Sequence, residues 1–182
     1  LAKAIEIARD EVRGIVDNSS KPTFENTIEA LENSGKLISS IAEVFFNLNE
    51  ADTNAEMQKL AQELSLMLTD YSNEVNLNKE LFEKVRNVYE NRQGLSEEQQ
   101  MLLEKTYKGF IRSGAALDDI QKEEYRKIVR ELNQLSLQFG ENVLAETNDF
   151  ELHLTDESDL SGLPSYVVEA GAEEAARRNK IG

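Results

Sequence analysis

Apolar residues recur at steps of three and four along most of this chain, the spacing that places them on one face of an α-helix. Leu1, Ile5, Ala8, Val12 and Ile15 make the first stripe, which stops at Asn18, Ser19 and Ser20. Pro22 disfavours helix at the residue before it. Thr23 is then placed as N-cap of a short helix with Phe24, Ile28 and Leu31 inward, ended by Ser34 and Gly35. Leu37 or Ile38, Ile41, Phe45 and Leu48 form a third helix. Thr53 with Glu56 predicts a capping box ahead of a longer one that carries Met57, Leu60, Leu64, Leu68, Tyr71 and Val75. Asn76 and Asn78 bracket the next break, and Leu81, Val85, Val88 and Tyr89 give a shorter helix before Gly94. Ser96 with Gln99 is a second capping box, opening a helix with Leu103, Tyr107, Phe110 and Ile111 inward and Gly114 beyond its end.

The longest uninterrupted pattern runs from Asp118 to Asn148, residues 118–148, with Tyr125, Ile128, Val129, Leu132, Leu135, Phe139 and Val143 predicted to face the core. At 1.5 Å per residue it spans about 45 Å, so several preceding helices are expected to line up against it as a spine. Short connections favour antiparallel neighbours, and the fold class is therefore mainly α, an antiparallel helical bundle or array. Tyr71, Tyr89, Tyr107 and Tyr125 are evenly spaced, but their flanks do not match and no repeat is inferred.

After Asn148 the period changes. Phe150, Leu152 and Leu154 alternate with Glu151 and His153, which predicts a half-buried strand over 150–154. Asp156 to Gly162 reads as a polar turn, and Pro164 opens a helix from Tyr166 to Arg178. A lone strand needs a partner for its backbone groups, and no second convincing strand exists in the sequence. The expected organisation is a helical domain over 1–148, followed at 149–182 by the incomplete start of a further part.

A length of 182 residues with 40% apolar positions suffices for a buried core. A net charge of −15 argues against nucleic acid and against an anionic membrane surface, and no apolar run approaches a membrane span or signal segment. Leu1 rather than Met opens the chain, which fits prior removal of a targeting segment. The absence of Cys excludes disulfides and thiolate metal sites.

Candidate chemistry is sparse. His153 is the only histidine, so neither a zinc site with two His on one helical turn nor a Ser-His-Asp arrangement can be assembled with any recognisable context. The carboxylate pairs Glu97 with Glu98, Asp118 with Asp119, and Glu173 with Glu174 read as helix-start or solvated charges rather than as acid and base. No catalytic, cofactor-binding or metal-ligating residue is therefore expected.

Three stretches nevertheless carry a resemblance: KPTFENTIEALENSG (Lys21 to Gly35), LNQLSLQFGENVL (Leu132 to Leu144) and DLSGLP (Asp159 to Pro164). In combination and order they resemble the N-terminal region of the thimet oligopeptidase and peptidyl-dipeptidase family of zinc metallopeptidases. RSGAALDD (Arg112 to Asp119) and QFGENVL (Gln138 to Leu144) lean toward the bacterial peptidyl-dipeptidase branch, with the bacterial oligopeptidases as near rival. The family's zinc site is a His-Glu-x-x-His helix with a further Glu, far beyond the matched region, and none of it occurs here. The resemblance implies a non-catalytic, helical N-terminal fragment forming one wall of a channel that admits short peptides. It implies zinc in the full-length enzyme and none in this fragment. The expected partners are peptide substrates and the remainder of the same chain. The expected location is the cytoplasm, with the periplasm as alternative. A stand-alone helical interaction module is the rival from a different class.

Overall fold

The structure, a computed structural model, describes residues 1–180. Its elements in chain order are α1 (Ala2–Asp17), a π-helical turn (Phe24–Glu29) continuing into α2 (Ala30–Asn33), α3 (Lys36–Ala51), α4 (Ala55–Asn76), α5 (Lys79–Glu90), α6 (Glu97–Arg112), α7 (Asp119–Asp149), a 3-10 turn (Glu157–Leu160) and α8 (Ser165–Arg177). The mainly helical class and the long seventh helix match the sequence reading, with α7 displaced by one residue at each end. By packing the chain divides into two units, one ending at Gly140 and one starting at Glu141, and α7 runs through the division.

Several helix starts follow from local side-chain chemistry. The Thr23 hydroxyl accepts the Asn26 amide at 3.2 Å while Asn26 Oδ1 accepts the Thr23 N–H at 2.8 Å. This box opens a turn whose Phe24, Thr27 and Ile28 are buried. Ser96 and Gln99 form the second box as expected. At α4 the cap lies one residue later than predicted: Asn54 Oδ1 accepts the N–H of Glu56 and of Met57 at 3.0 and 2.9 Å. Thr53 instead turns its hydroxyl to Asn49 Oδ1 at 2.9 Å. The α6–α7 connection depends on Gly114, whose φ of 83° is left-handed. A Cβ there would stand 2.8 Å from Leu117 Cδ1.

The core of the first unit does not lie along α7. One cluster joins Val12 and Ile15 of α1, Phe24 and Ile28, Leu81 and Val85 of α5, and Leu103 and Phe110 of α6. Tyr89 and Tyr107 stack beside it with ring centres 4.1 Å apart. A smaller cluster sets Ala4, Ile5 and Ala8 of α1 on Ile38 of α3, with Met67, Leu68 and Tyr71 of α4 packed alongside. The expected spine is thus corrected: burial is concentrated where α1, α5 and α6 meet the 24–28 turn.

In the second unit the predicted strand is absent. Residues 150–156 have no regular structure, because among the described residues no second strand exists to accept and donate their backbone hydrogen bonds. The segment is held by side chains instead. Glu151 pairs with Arg178 at 2.8 Å and with Lys180 at 3.2 Å, while Leu154 is half-buried.

Candidate functional site

The feature most unlike an ordinary core helix is the way the first part of α7 packs on α4 within the first unit. Its start is capped by Asp118, whose Oδ1 accepts the Gln121 N–H at 2.8 Å, while Gln121 Oε1 accepts the Asp118 N–H at 3.2 Å. One turn on, Lys122 is buried and its Nζ donates to the Leu77 carbonyl at 3.0 Å, at the C-terminal end of α4. Arg130 grips Asp70 with two guanidinium donors, Nε to Oδ1 at 2.6 Å and Nη2 to Oδ2. That pairing raises the guanidinium's proton affinity further above its usual value. Asn133 Nδ2 donates to Thr69 Oγ1 at 2.9 Å, and the Thr69 hydroxyl donates to the Ser65 carbonyl at 2.8 Å. A cleft of about 440 Å³ lies here, lined by Asp70, Glu74, Glu123, Arg126, Lys127 and Arg130 among others. Its cationic and acidic side chains are interspersed, and Arg9, held by Glu74 and then by Glu6, retains its proton more strongly than an isolated arginine. The arrangement is a polar clasp between helices.

The opposite consequence falls on the apolar stripe. Ile128, Leu132, Leu135 and Phe139 are 54% to 70% exposed, and Val143 is exposed as well. The positions predicted to face the core therefore face outward, except that Tyr125 and Val129 are half-buried. At 100° per residue the covered positions 122, 126, 129, 133 and 137 centre about 120° around the helix from the exposed stripe. Periodicity had located the stripe; it could not say which side of the helix was docked. The signal available in sequence was the second, polar series Lys122, Arg126, Arg130 and Asn133.

The second unit holds an apolar cavity of about 590 Å³ between the 152–154 segment and α8, lined by Leu152, Leu154, Leu160, Val167 and Ala172 among others. His153 lines the same cavity and is exposed. The candidate carboxylate pairs are dispersed among helix ends. Glu98 lies in the first turn of α6, where its own backbone N–H and then the Ser96 hydroxyl hold its carboxyl below the usual range. Glu174 is drawn down to about 2 by Arg177 and then Arg178. Among the described residues no three His, Cys, Asp or Glu side chains come together as a metal-binding group, and no helix is long and apolar enough to cross a membrane.

Comparison with known proteins adds what the geometry does not. The chain is 34% identical over 172 residues to the dipeptidyl carboxypeptidase of Escherichia coli (strain K12), a match covering 93% of this chain and 25% of that protein. The chain is homologous to the dipeptidyl carboxypeptidase and oligopeptidase A family. Oligopeptidase A of Salmonella typhimurium is 24% identical over 187 residues, covering all of this chain and 27% of that protein. A probable cytosolic oligopeptidase A of Arabidopsis thaliana is 27% identical over 165 residues, covering 90% of this chain and 24% of that protein. The chain spans about a quarter of the length of these curated relatives. No protein-family model matches it. The kinship expected from three short stretches is thus borne out over nearly the whole chain.

Proposed function

We propose that this chain is the non-catalytic, N-terminal helical part of a zinc-dependent peptidyl-dipeptidase, an enzyme that releases dipeptides from the C-termini of short peptides. The observation that carries the reading is the match of 93% of the chain to 25% of a dipeptidyl carboxypeptidase at 34% identity. The oligopeptidase alternative is weaker on the same measure, at 24% to 27%. In this reading the helical array forms one wall of the substrate channel, excluding folded proteins by size. The described residues do not fit a zinc site: His153, the sole histidine, borders an apolar cavity and has no clustered metal-ligating companions. The zinc, and the residues that hold it, are assigned to the remainder of the longer polypeptide. The proposed partners are short peptides and that remainder, in the cytoplasm; a net charge of −15 supports leaving nucleic acid and anionic membranes out.

The test compares the 182-residue chain with the polypeptide extended through its downstream reading frame, on a short unstructured peptide, with and without a chelator. Dipeptide release by the extended protein alone, abolished by the chelator, is the expected result. A stop codon after Gly182, or chelator-sensitive cleavage by the 182-residue chain itself, overturns the reading.

A further inference from the structure

Helix α7 is amphipathic in an inverted sense. Its docked side is a row of polar clasps, Lys122 to the Leu77 carbonyl, Arg130 to Asp70 and Asn133 to Thr69, while Ile128, Leu132, Leu135 and Phe139 stand exposed. These four follow one another at steps of four, three and four, the narrow seam that packs along a second helix at a shallow crossing angle. Isolated exposed apolar side chains are ordinary, whereas a contiguous row aligned in this way has the character of a contact surface.

We propose that this seam docks a helix from the remainder of the same polypeptide, the part continuing past Gly182 that corresponds to what the relatives contain beyond the 25% matched here. The inference rests on the reading of the chain as one part of a longer peptidase, because the length of the relatives supplies the occupant. Charge also selects this occupant. Two copies of the chain would each bring −15, and their approach would work against mutual repulsion. A continuing segment is already tethered, so its effective concentration at the seam is high and it meets only a loop-closure cost. The polar clasps set the register: they hold α7 on α4 by directional bonds and leave its apolar side free to receive the docked helix.

The experiment places single thiols on the seam, as Leu132→Cys and Phe139→Cys, in both the 182-residue chain and the extended protein. Maleimide labelling at each position is followed by peptide mass spectrometry. Labelling is expected to slow by about tenfold or more in the extended protein, because the core of a packed interface is desolvated. Hydroxyl-radical oxidation of the unsubstituted Leu132 and Phe139 gives the same comparison without any substitution. Equal rates in the two proteins overturn the proposal. So does protection in the 182-residue chain that disappears on dilution and on Leu132→Asp, which would assign the seam to a second copy. Peptide cleavage is assayed on the same samples. Protection without cleavage keeps the docking and removes the peptidase reading, whereas cleavage without protection does the reverse.

Discussion

The ammonium of Lys122 lies 3.0 Å from the carbonyl oxygen of Leu77, buried where α4 ends and α7 begins its second turn. A helix C-terminus concentrates unsatisfied carbonyls and partial negative charge, so a cation there is favoured both as donor and by the helix dipole. The contact explains how a lysine takes an inward position on α7 that an apolar residue would ordinarily hold. Replacement by Met keeps most of the stem but removes the charged donor. Lys122→Met is expected to cost about 1.5–3 kcal/mol, the range for a hydrogen bond to a charged group. Urea denaturation measures it, with exposed Lys127→Met as a control expected within about 0.5 kcal/mol of the parent.

Leu103 has no exposed surface, whereas Phe139 is 70% exposed, although both lie on apolar stripes of similar appearance. Leu103→Ala is expected to destabilise by about 2–5 kcal/mol through lost burial and a residual cavity. Phe139→Ala is expected to change the stability of the 182-residue chain by no more than about 0.5 kcal/mol. Comparable losses from the two in chemical denaturation would return α7 to the position of a core spine.

The start of α4 separates local chemistry read from sequence from that found in the structure. Asn54→Ala removes the acceptor for two backbone N–H groups and is expected to cost about 1 kcal/mol. Thr53→Ala loses only a side-chain bond to Asn49 and is expected to cost less. Thermal melts of the pair show which residue caps the helix.

Glu174 contributes to the acid response of α8 through its exposed ion pairs with Arg177 and Arg178. Its ordinary value is 4.5, and Arg177 followed by Arg178 draws it down to about 2 in the folded chain. A carboxyl lowered on folding contributes its full share of stability above the ordinary value. That share is lost as pH falls from about 4.5 toward about 2. The helical chemical shifts of residues 165–177 are therefore expected to decay across this window by NMR. Glu174→Gln should flatten that part of the titration, and added salt should weaken it because the ion pairs are exposed.

The mainly helical class, the extent of α7 to within a residue, the caps at Thr23 and Ser96, and the kinship to a peptidase family were all legible in the sequence. Each depends on residues close together in the chain: hydrophobic period, a side-chain oxygen within reach of the next turn, or a run of matching residues. Two features were decided only by tertiary structure. Period two over Phe150, Leu152 and Leu154 is necessary for a strand but not sufficient, because the partner that satisfies a strand's backbone lies elsewhere in space. The apolar stripe of α7 was equally visible, yet which side of the helix meets α4 depends on Thr69, Asp70 and Leu77, which are remote from α7 in sequence. A hydrophobic period identifies the side of a helix that can be buried; the rest of the fold decides what, if anything, covers it.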